Sequence, residues 1–334
     1  MRFYIQKLLF YAAAFWAAIT LNFFIPRWMP GNPVDLLISK MSAGGIPVTP
    51  ETKAIITTQL GGIGQGSLLE QYWAYLKNLA HGDLGVSISN YPAQVSSILG
   101  QALPWTITLI GLSTVIAFTV GILLGMFAGW KRGSFLDNLI PFVTFFQAMP
   151  YFWMALILLL VFSRIVQWFP FAGGYDTFAF PPIMPGFNGE FITSALYHGV
   201  LPATTIVLSS VAGWMMGMRN MMVSTLSEDY ILTAEAKGLS PRRVRMVYAA
   251  RNAILPSLSG FAISLGFVVA GSIVTEQVFS YPGIGYTLWS SVANNDYPLM
   301  QGCFLVISVA VLAANLVVDL LLGIIDPRTR STTA

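Results

Sequence analysis

Six long apolar stretches, separated by polar segments of very unequal length, set the pattern of this chain. Leu8–Ile25, Trp105–Trp130, Leu139–Phe162, Val200–Met218 and Ile254–Val274 carry no charged residue, and Leu299–Ile325 carries only Asp319. About 20 apolar residues in a helix cross the hydrocarbon core of a bilayer. One such stretch could be a buried helix of a soluble protein; six in succession predict six membrane-spanning helices.

The polar segments carry patterns of their own. In 26–104, Thr49 and Pro50 read as a cap and first helical residue. Leu68, Leu69, Tyr72, Trp73, Leu76 and Leu79 then recur at helical spacing up to Gly82. They predict a small helical platform whose apolar stripe either packs on the membrane helices or docks a partner. Glycines at 61, 62, 64 and 66 fit neither a dinucleotide nor a phosphate loop, and read as a flexible turn.

The segment 226–253 is a charged island between two apolar stretches. Ser227 reads as an N-cap, with Glu228 and Asp229 in the first turn, where the helix dipole favours carboxylates. The helix runs through Ala234 and Lys237 and stops at Gly238, a residue suited to a left-handed turn. Ser240 and Pro241 start a second helix carrying Arg242, Arg243, Arg245 and Arg251. The product is a helix–turn–helix across the ends of two spans. Ala234, Ala236 and Gly238 keep one surface small enough for another protein's groove. A basic loop held against anionic headgroups is the other reading that spacing allows.

Composition agrees with a polytopic membrane protein: 55% hydrophobic and 9% charged among 334 residues, against roughly 25% charged in soluble domains. Of its lysines and arginines, twelve (Arg2, Lys7, Lys131, Arg132, Arg219, Lys237, Arg242, Arg243, Arg245, Arg251, Arg328, Arg330) fall on one side of the predicted topology. Five (Arg27, Lys40, Lys53, Lys77, Arg164) fall on the other, over much longer loops. The positive-inside rule then puts both termini and the charged island in the cytoplasm, and 26–104, 163–199 and 275–298 outside. Arg2 and Lys7 before an apolar run could open a signal peptide, but Pro26, Arg27 and Trp28 follow it where a small-residue cleavage site would stand, so a retained helix is expected.

Chemistry-bearing residues are few. One cysteine, Cys303, and two histidines, His81 and His198, exclude a disulfide framework and disfavour a metal cage. No GxxxxGK[ST] sequence occurs, so no P-loop is available for ATP. A membrane enzyme would need a convergent nucleophile–base or metal set. A secondary transporter would place ionisable residues near mid-span. Neither pattern is present. Asp319, about two turns from the end of its stretch, is expected to pair with a basic residue of the inner surface. Glu276, at the outer end of the fifth stretch, is expected to be interfacial.

Ordered motifs run along the whole chain. Tyr230, Thr233, Ala234, Ala236, Lys237, Gly238 and Leu239, followed by Arg251, Asn252, Ala253 and Pro256, resemble the cytoplasmic coupling loop of ABC-importer permeases of the oligopeptide/dipeptide type. Pro30, Gly31, Asn32 and Pro33 resemble that family's Pro-Gly-Asp-Pro, with Asn for Asp. Gly82, Asp83, Leu84, Gly85 and Ser87 resemble its outer-loop signature, and Pro150, Phe152 and Trp153 its third span. Phe279, Pro282, Gly283, Ile284 and Gly285, with Asp296 and Pro298, resemble its last outer loop, and Asp326, Pro327, Arg328 and Arg330 its C-terminal end. The long segment after the first span is similar to the B-type subunit. One departure stands out: the family's glutamate falls at Leu232, and Glu235 lies three residues later.

The resemblance implies an all-α membrane protein with six transmembrane helices of the type I importer. Its parts would be an N-terminal transmembrane helix (1–25), a helical extracytoplasmic insertion (26–104), a five-helix core (105–325) holding the coupling loop 226–253, and a cytoplasmic tail (326–334). It implies a permease that binds no cofactor, with ATP and Mg on separate ATPase subunits, in a bacterial or archaeal cytoplasmic membrane. The partners implied are a second homologous permease (a heterodimer), two ATPase subunits or domains and an extracytoplasmic substrate-binding protein, with no nucleic acid. Tyr230, Thr233, Ala234, Glu235, Ala236, Lys237, Gly238 and Leu239 would couple to the ATPase, with Leu239 packing into it and Tyr230, Ala234 and Lys237 lining the contact. Asp83, Tyr281, Pro282, Gly283 and Gly285 would touch the binding protein or the outer gate. Oligopeptides or dipeptides are the cargo implied, with oligosaccharides next and nickel disfavoured by the scarcity of histidine. Trp168, Phe169, Phe171, Tyr175, Phe178 and Phe180 could stack on sugars or peptides, or anchor at the membrane interface.

Overall fold

The computed structural model describes residues 2–28, 33–43, 49–59, 67–266, 268 and 273–325. The glycine turn at 61–66, residues 30–32 and the tail 326–334 lie outside them. Within the described residues the regular structure is helical, apart from one isolated antiparallel bridge between Val86 and Gln94.

Among the described residues, four helices are long and apolar enough to span a bilayer: Ile5–Ile25, Val95–Trp130, Gly189–Thr225 and Tyr297–Val317. A bent pair, Phe135–Ala148 and Tyr151–Ile165, meets at 97° and makes a fifth span if the two halves cross together. The stretch Leu139–Phe162 is therefore not one straight helix. Proline lacks an N–H and forces the residue before it out of the helical region; Met149, ahead of Pro150, is extended with ψ 138°. In the sixth expected stretch, Leu255–Gly266 is helical but short for a span. The expected six spans thus appear as four or five.

The two longest helices exceed their apolar windows. Val95–Trp130 begins before the predicted Trp105, and Gly189–Thr225 before the predicted Val200. At 1.5 Å per residue each is about 55 Å long, well beyond the ~30 Å hydrocarbon core. Periodicity sized to lipid misses such extensions.

These two helices pack as a central pair through Gly121, Gly125 and Gly129, spaced by four. A Cβ on them would lie 2.5 Å from Trp214 Cβ, 2.3 Å from the Met215 carbonyl oxygen and 2.6 Å from Met222 Cβ respectively. Only glycine permits that backbone approach, as small-residue stripes do between membrane helices. The first and last helices are joined by polar contacts. Lys7 Nζ lies 2.7 Å from Asp319, which also accepts from the Tyr11 hydroxyl at 2.8 Å, so Asp319 does pair with a basic residue. Further along, Asn22 Nδ2 donates to the Gln301 carbonyl at 2.8 Å and Gln301 Nε2 to the Asn22 carbonyl at 3.1 Å.

Helices Pro33–Ala43, Pro50–Gln59 and Leu68–Ala80 follow the first span. The helix at Pro50 starts where the Thr49–Pro50 signal places it. Leu68–Ala80 opens with a reciprocal capping box between Ser67 and Glu70.

Candidate functional site: a docked helix–turn–helix and a caged outer turn

Two constellations sit at opposite ends of helix Val95–Trp130. At its Trp130 end, helix Asp229–Ala236 lies against the membrane helices by Ile231 and Ala234, one turn apart and both 2% exposed. They join Ile122, Met126, Met218 and Met222 in one apolar cluster with Val244, Ala249 and Ala253. The helix ends at Gly238, where φ is +72°. Leu239 N–H donates to the Ala234 carbonyl at 3.3 Å and Gly238 N–H to the Glu235 carbonyl at 2.8 Å, the paired bonds of a Schellman cap. Leu239 folds back onto the same cluster. Pro241 then opens the second arm, which passes through a π-helical turn at Val244–Ala250. Asn252 Nδ2 donates to the Tyr230 hydroxyl at 3.1 Å, tying the arms together. The Arg245 guanidinium sits 4.7 Å over the Phe127 ring. The unit is thus a braced body and not a flexible loop.

One sequence expectation changes. The N-cap is Glu228, because Ser227 turns its hydroxyl back to the Ser224 carbonyl and finishes the preceding helix. Ala234 is buried and Leu239 half-buried, and both pack on the protein's own core. The exposed face comprises Tyr230, Leu232, Thr233, Glu235, Ala236, Lys237 and Gly238, flanked by Arg242 and Arg243. Leu232, where the family's glutamate would stand, is 60% exposed.

At the other end, Glu276 lies fully buried, not at an interface. Its carboxylate accepts from Thr106 Oγ1 at 2.8 Å, Gly285 N–H at 2.7 Å and Tyr286 N–H at 3.1 Å. It caps helix Ile284–Ala293 from outside, supplying the negative charge that this helix's own first turn lacks. Burial, the largest influence, raises the Glu276 pKa, while the Thr106 hydroxyl and the two N–H groups pull it back. Gly283 and Gly285 are explained by this cage. A Cβ at Gly283 would meet Glu276 Oε2 and Thr106 Oγ1, and one at Gly285 would lie 2.7 Å from Ile273 Cα. Tyr281 is buried edge-on to Trp105, with ring centres 5.4 Å apart. Asp83 is exposed and caps its own turn, accepting from Gly85 N–H at 2.9 Å. That turn delivers Ser87 to buried Asp296, which accepts from the Ser87 hydroxyl and, at 2.8 Å, from Ser89 N–H. The candidate outer residues are therefore two sets, one around Glu276 and one around Asp296. The sequence reading missed Glu276 as their centre; glycines flanking a segment with a lone acid were the available signal.

Beside the outer turn, a cavity of about 1200 Å³ opens between the central helices. Trp105, Leu112, Tyr175, Phe191, Leu196 and Tyr281 line it, with Gln101, Thr108, Ser113 and Thr287 among its polar groups and, among the described residues, no charged side chain. Among the described residues, no three His, Cys, Asp or Glu side chains gather as a metal would require.

Residues 121–331, which contain the helix–turn–helix and the Glu276 turn, match the family described as the inner membrane component of binding-protein-dependent transport systems. The chain belongs to this family. The permease is also similar over nearly its whole length to curated relatives. It is 35% identical over 327 residues to the di/tripeptide transport system permease protein DppB of Pseudomonas aeruginosa, covering 95% of each chain. It is 33% identical over 310 residues to the oligopeptide transport system permease protein AppB of Bacillus subtilis, covering 92% of each. It is 32% identical over 345 residues to the dipeptide transport system permease protein DppB of Escherichia coli K12, covering 99% of each. As an inner-membrane component of this kind, the permease works with a substrate-binding protein.

Proposed function

We propose that this permease is the B-type subunit of an ATP-driven importer of dipeptides or oligopeptides. Near full-length similarity to relatives named for di-, tri- and oligopeptides carries the reading, and it favours peptides over the oligosaccharide alternative. The expected assembly is a heterodimer with a second permease, two ATPase subunits and an extracytoplasmic binding protein. Six spans with both termini cytoplasmic follow if the bent pair is one span and 254–274 another, an orientation supported by the lysine and arginine distribution.

In this reading ATP-driven closure of the ATPase subunits moves the helix–turn–helix. Contact falls to the exposed Tyr230, Leu232, Thr233, Glu235, Ala236 and Lys237. Ala234 and Leu239 have the complementary task of fixing that face to Met218 and Met222, so that displacement passes into helices Val95–Trp130 and Gly189–Thr225. The Glu276 and Asp296 sets, at the far end of the same helix, would hold the outer gate and meet the binding protein. The uncharged cavity offers a peptide ring faces and hydrogen bonds without fixed charge.

Co-purification of the tagged chain with its neighbouring gene products tests the assembly. Recovery of a second permease and ATPase subunits, with hydrolysis stimulated by peptide-loaded binding protein, is expected. A chain that purifies alone and shows no such dependence would return the secondary-transporter reading.

A further inference from the structure

The geometry points to helix Leu68–Ala80 as an in-plane membrane anchor, its apolar flank set into the lipid beside the end of the first span. Its depth is fixed by its contacts. Tyr72 shares a 2.8 Å hydrogen bond with Thr20 and packs edge-on to Phe23, with ring centres 5.1 Å apart. Asn22 Nδ2 donates to the Tyr75 hydroxyl at 3.4 Å, and Arg27 Nε to Gln71 Oε1 at 3.3 Å. Thr20 stands only about 8 Å along the axis from Ile25, the last residue of the apolar span. The helix therefore lies at the level where hydrocarbon gives way to headgroups.

Its faces sort accordingly. At about 100° per residue, Tyr72 and Tyr75 share the sector turned to the first span, Leu76, Leu69 and Trp73 fill the next ~60°, and Lys77 and Glu70 lie beyond. Packing on the first span thus uses only part of the apolar stripe. Leu69 remains 66% exposed and Trp73 64% exposed. The first span, on which the helix packs, itself exposes Trp16, Leu21 and Ile25. A tryptophan on an apolar flank bordered by a lysine is the side-chain order that interfacial helices present to a bilayer. A water-borne partner docking there would have to descend into the hydrocarbon boundary.

The test is nitroxide labelling at Leu69→Cys, Trp73→Cys and Lys77→Cys in the full chain, purified together with its partner subunits and placed in lipid nanodiscs. The native Cys303 is buried and does not compete for label. Power saturation is read with oxygen, which partitions into lipid, and with a water-soluble nickel chelate. Labels at 69 and 73 should be relaxed mainly by oxygen and the label at 77 mainly by nickel, so that the log ratio changes sign within one turn. Nickel-dominated relaxation at 69 and 73 would overturn the proposal in favour of a solvent-facing surface. Exclusion of both reagents there would overturn it in favour of a protein partner. Either position suffices, since Leu69→Cys leaves Trp73 in place. The outcome does not depend on what the permease transports.

Discussion

The close approach of the two central helices makes Gly125→Ala the most quantitative test of the fold. The added Cβ would lie 2.3 Å from the Met215 carbonyl oxygen and 2.9 Å from Met218 Cβ, where ordinary contact begins at 3.4 Å. The nearest obstacle is backbone of a long helix, so the helices must part by roughly 1 Å, and a close-packed interior yields little. Overpacking of this kind costs about 1–3 kcal/mol, whereas alanine in place of glycine favours a helix by up to about 1 kcal/mol. Gly100→Ala supplies the control, because it lies in the same helix and its Cβ would meet nothing within 4 Å. The difference between the variants cancels the propensity contribution and leaves the packing cost of about 1–3 kcal/mol. Thermal unfolding of the purified chain in detergent should place Gly125→Ala at or below wild type and clearly below Gly100→Ala, which should lie at or above wild type. Equal midpoints for the two variants would refute the glycine-mediated packing.

Other substitutions probe the remaining contacts. Glu276→Leu should destabilise the chain by about 1–3 kcal/mol for each of the three donors left without an acceptor. Glu276→Gln, which keeps an acceptor oxygen, should lose less; equal unfolding midpoints for the two would contradict the cage. Gly238→Val should uncouple ATP hydrolysis from transport, since a left-handed residue with a side chain costs about 1–2 kcal/mol, while Gly238→Asn should retain coupling because asparagine tolerates that region. Equal ATPase stimulation in the two variants would count against the Schellman turn as a coupling element. Asp319→Asn and Lys7→Met should each weaken the junction of first and last helices, and the double variant should lose less than the sum of the single losses; strict additivity of unfolding midpoints would argue that the pair contributes nothing.

What could be read from sequence, and what could not, follows from the range of each signal. The Thr49–Pro50 start, the Gly238 stop and the pairing of Asp319 are set by neighbouring residues or by the cost of charge in lipid, and all three hold. The third span failed as a straight helix because hydropathy is blind to backbone direction, although Pro150 held the information. That Ala234 and Leu239 pack on the protein's own core was not legible, because small and apolar residues suit either face of a docked helix, and only the position of Met218 and Met222 shows the contact. Glu276 and Asp296 are buried by partners 170 and 207–209 residues away in sequence, a distance that no local period reaches. The Gly121, Gly125 and Gly129 stripe was legible as a small residue at every fourth position, but its partner helix was not.

The most direct test of the central claim is uptake of a labelled dipeptide into proteoliposomes that hold this chain with its second permease and ATPase subunits. The account predicts accumulation that requires both internal ATP and external binding protein, and that is lost when Gly238→Val replaces the native turn. Peptide uptake by the chain alone, without ATP or binding protein, would contradict it.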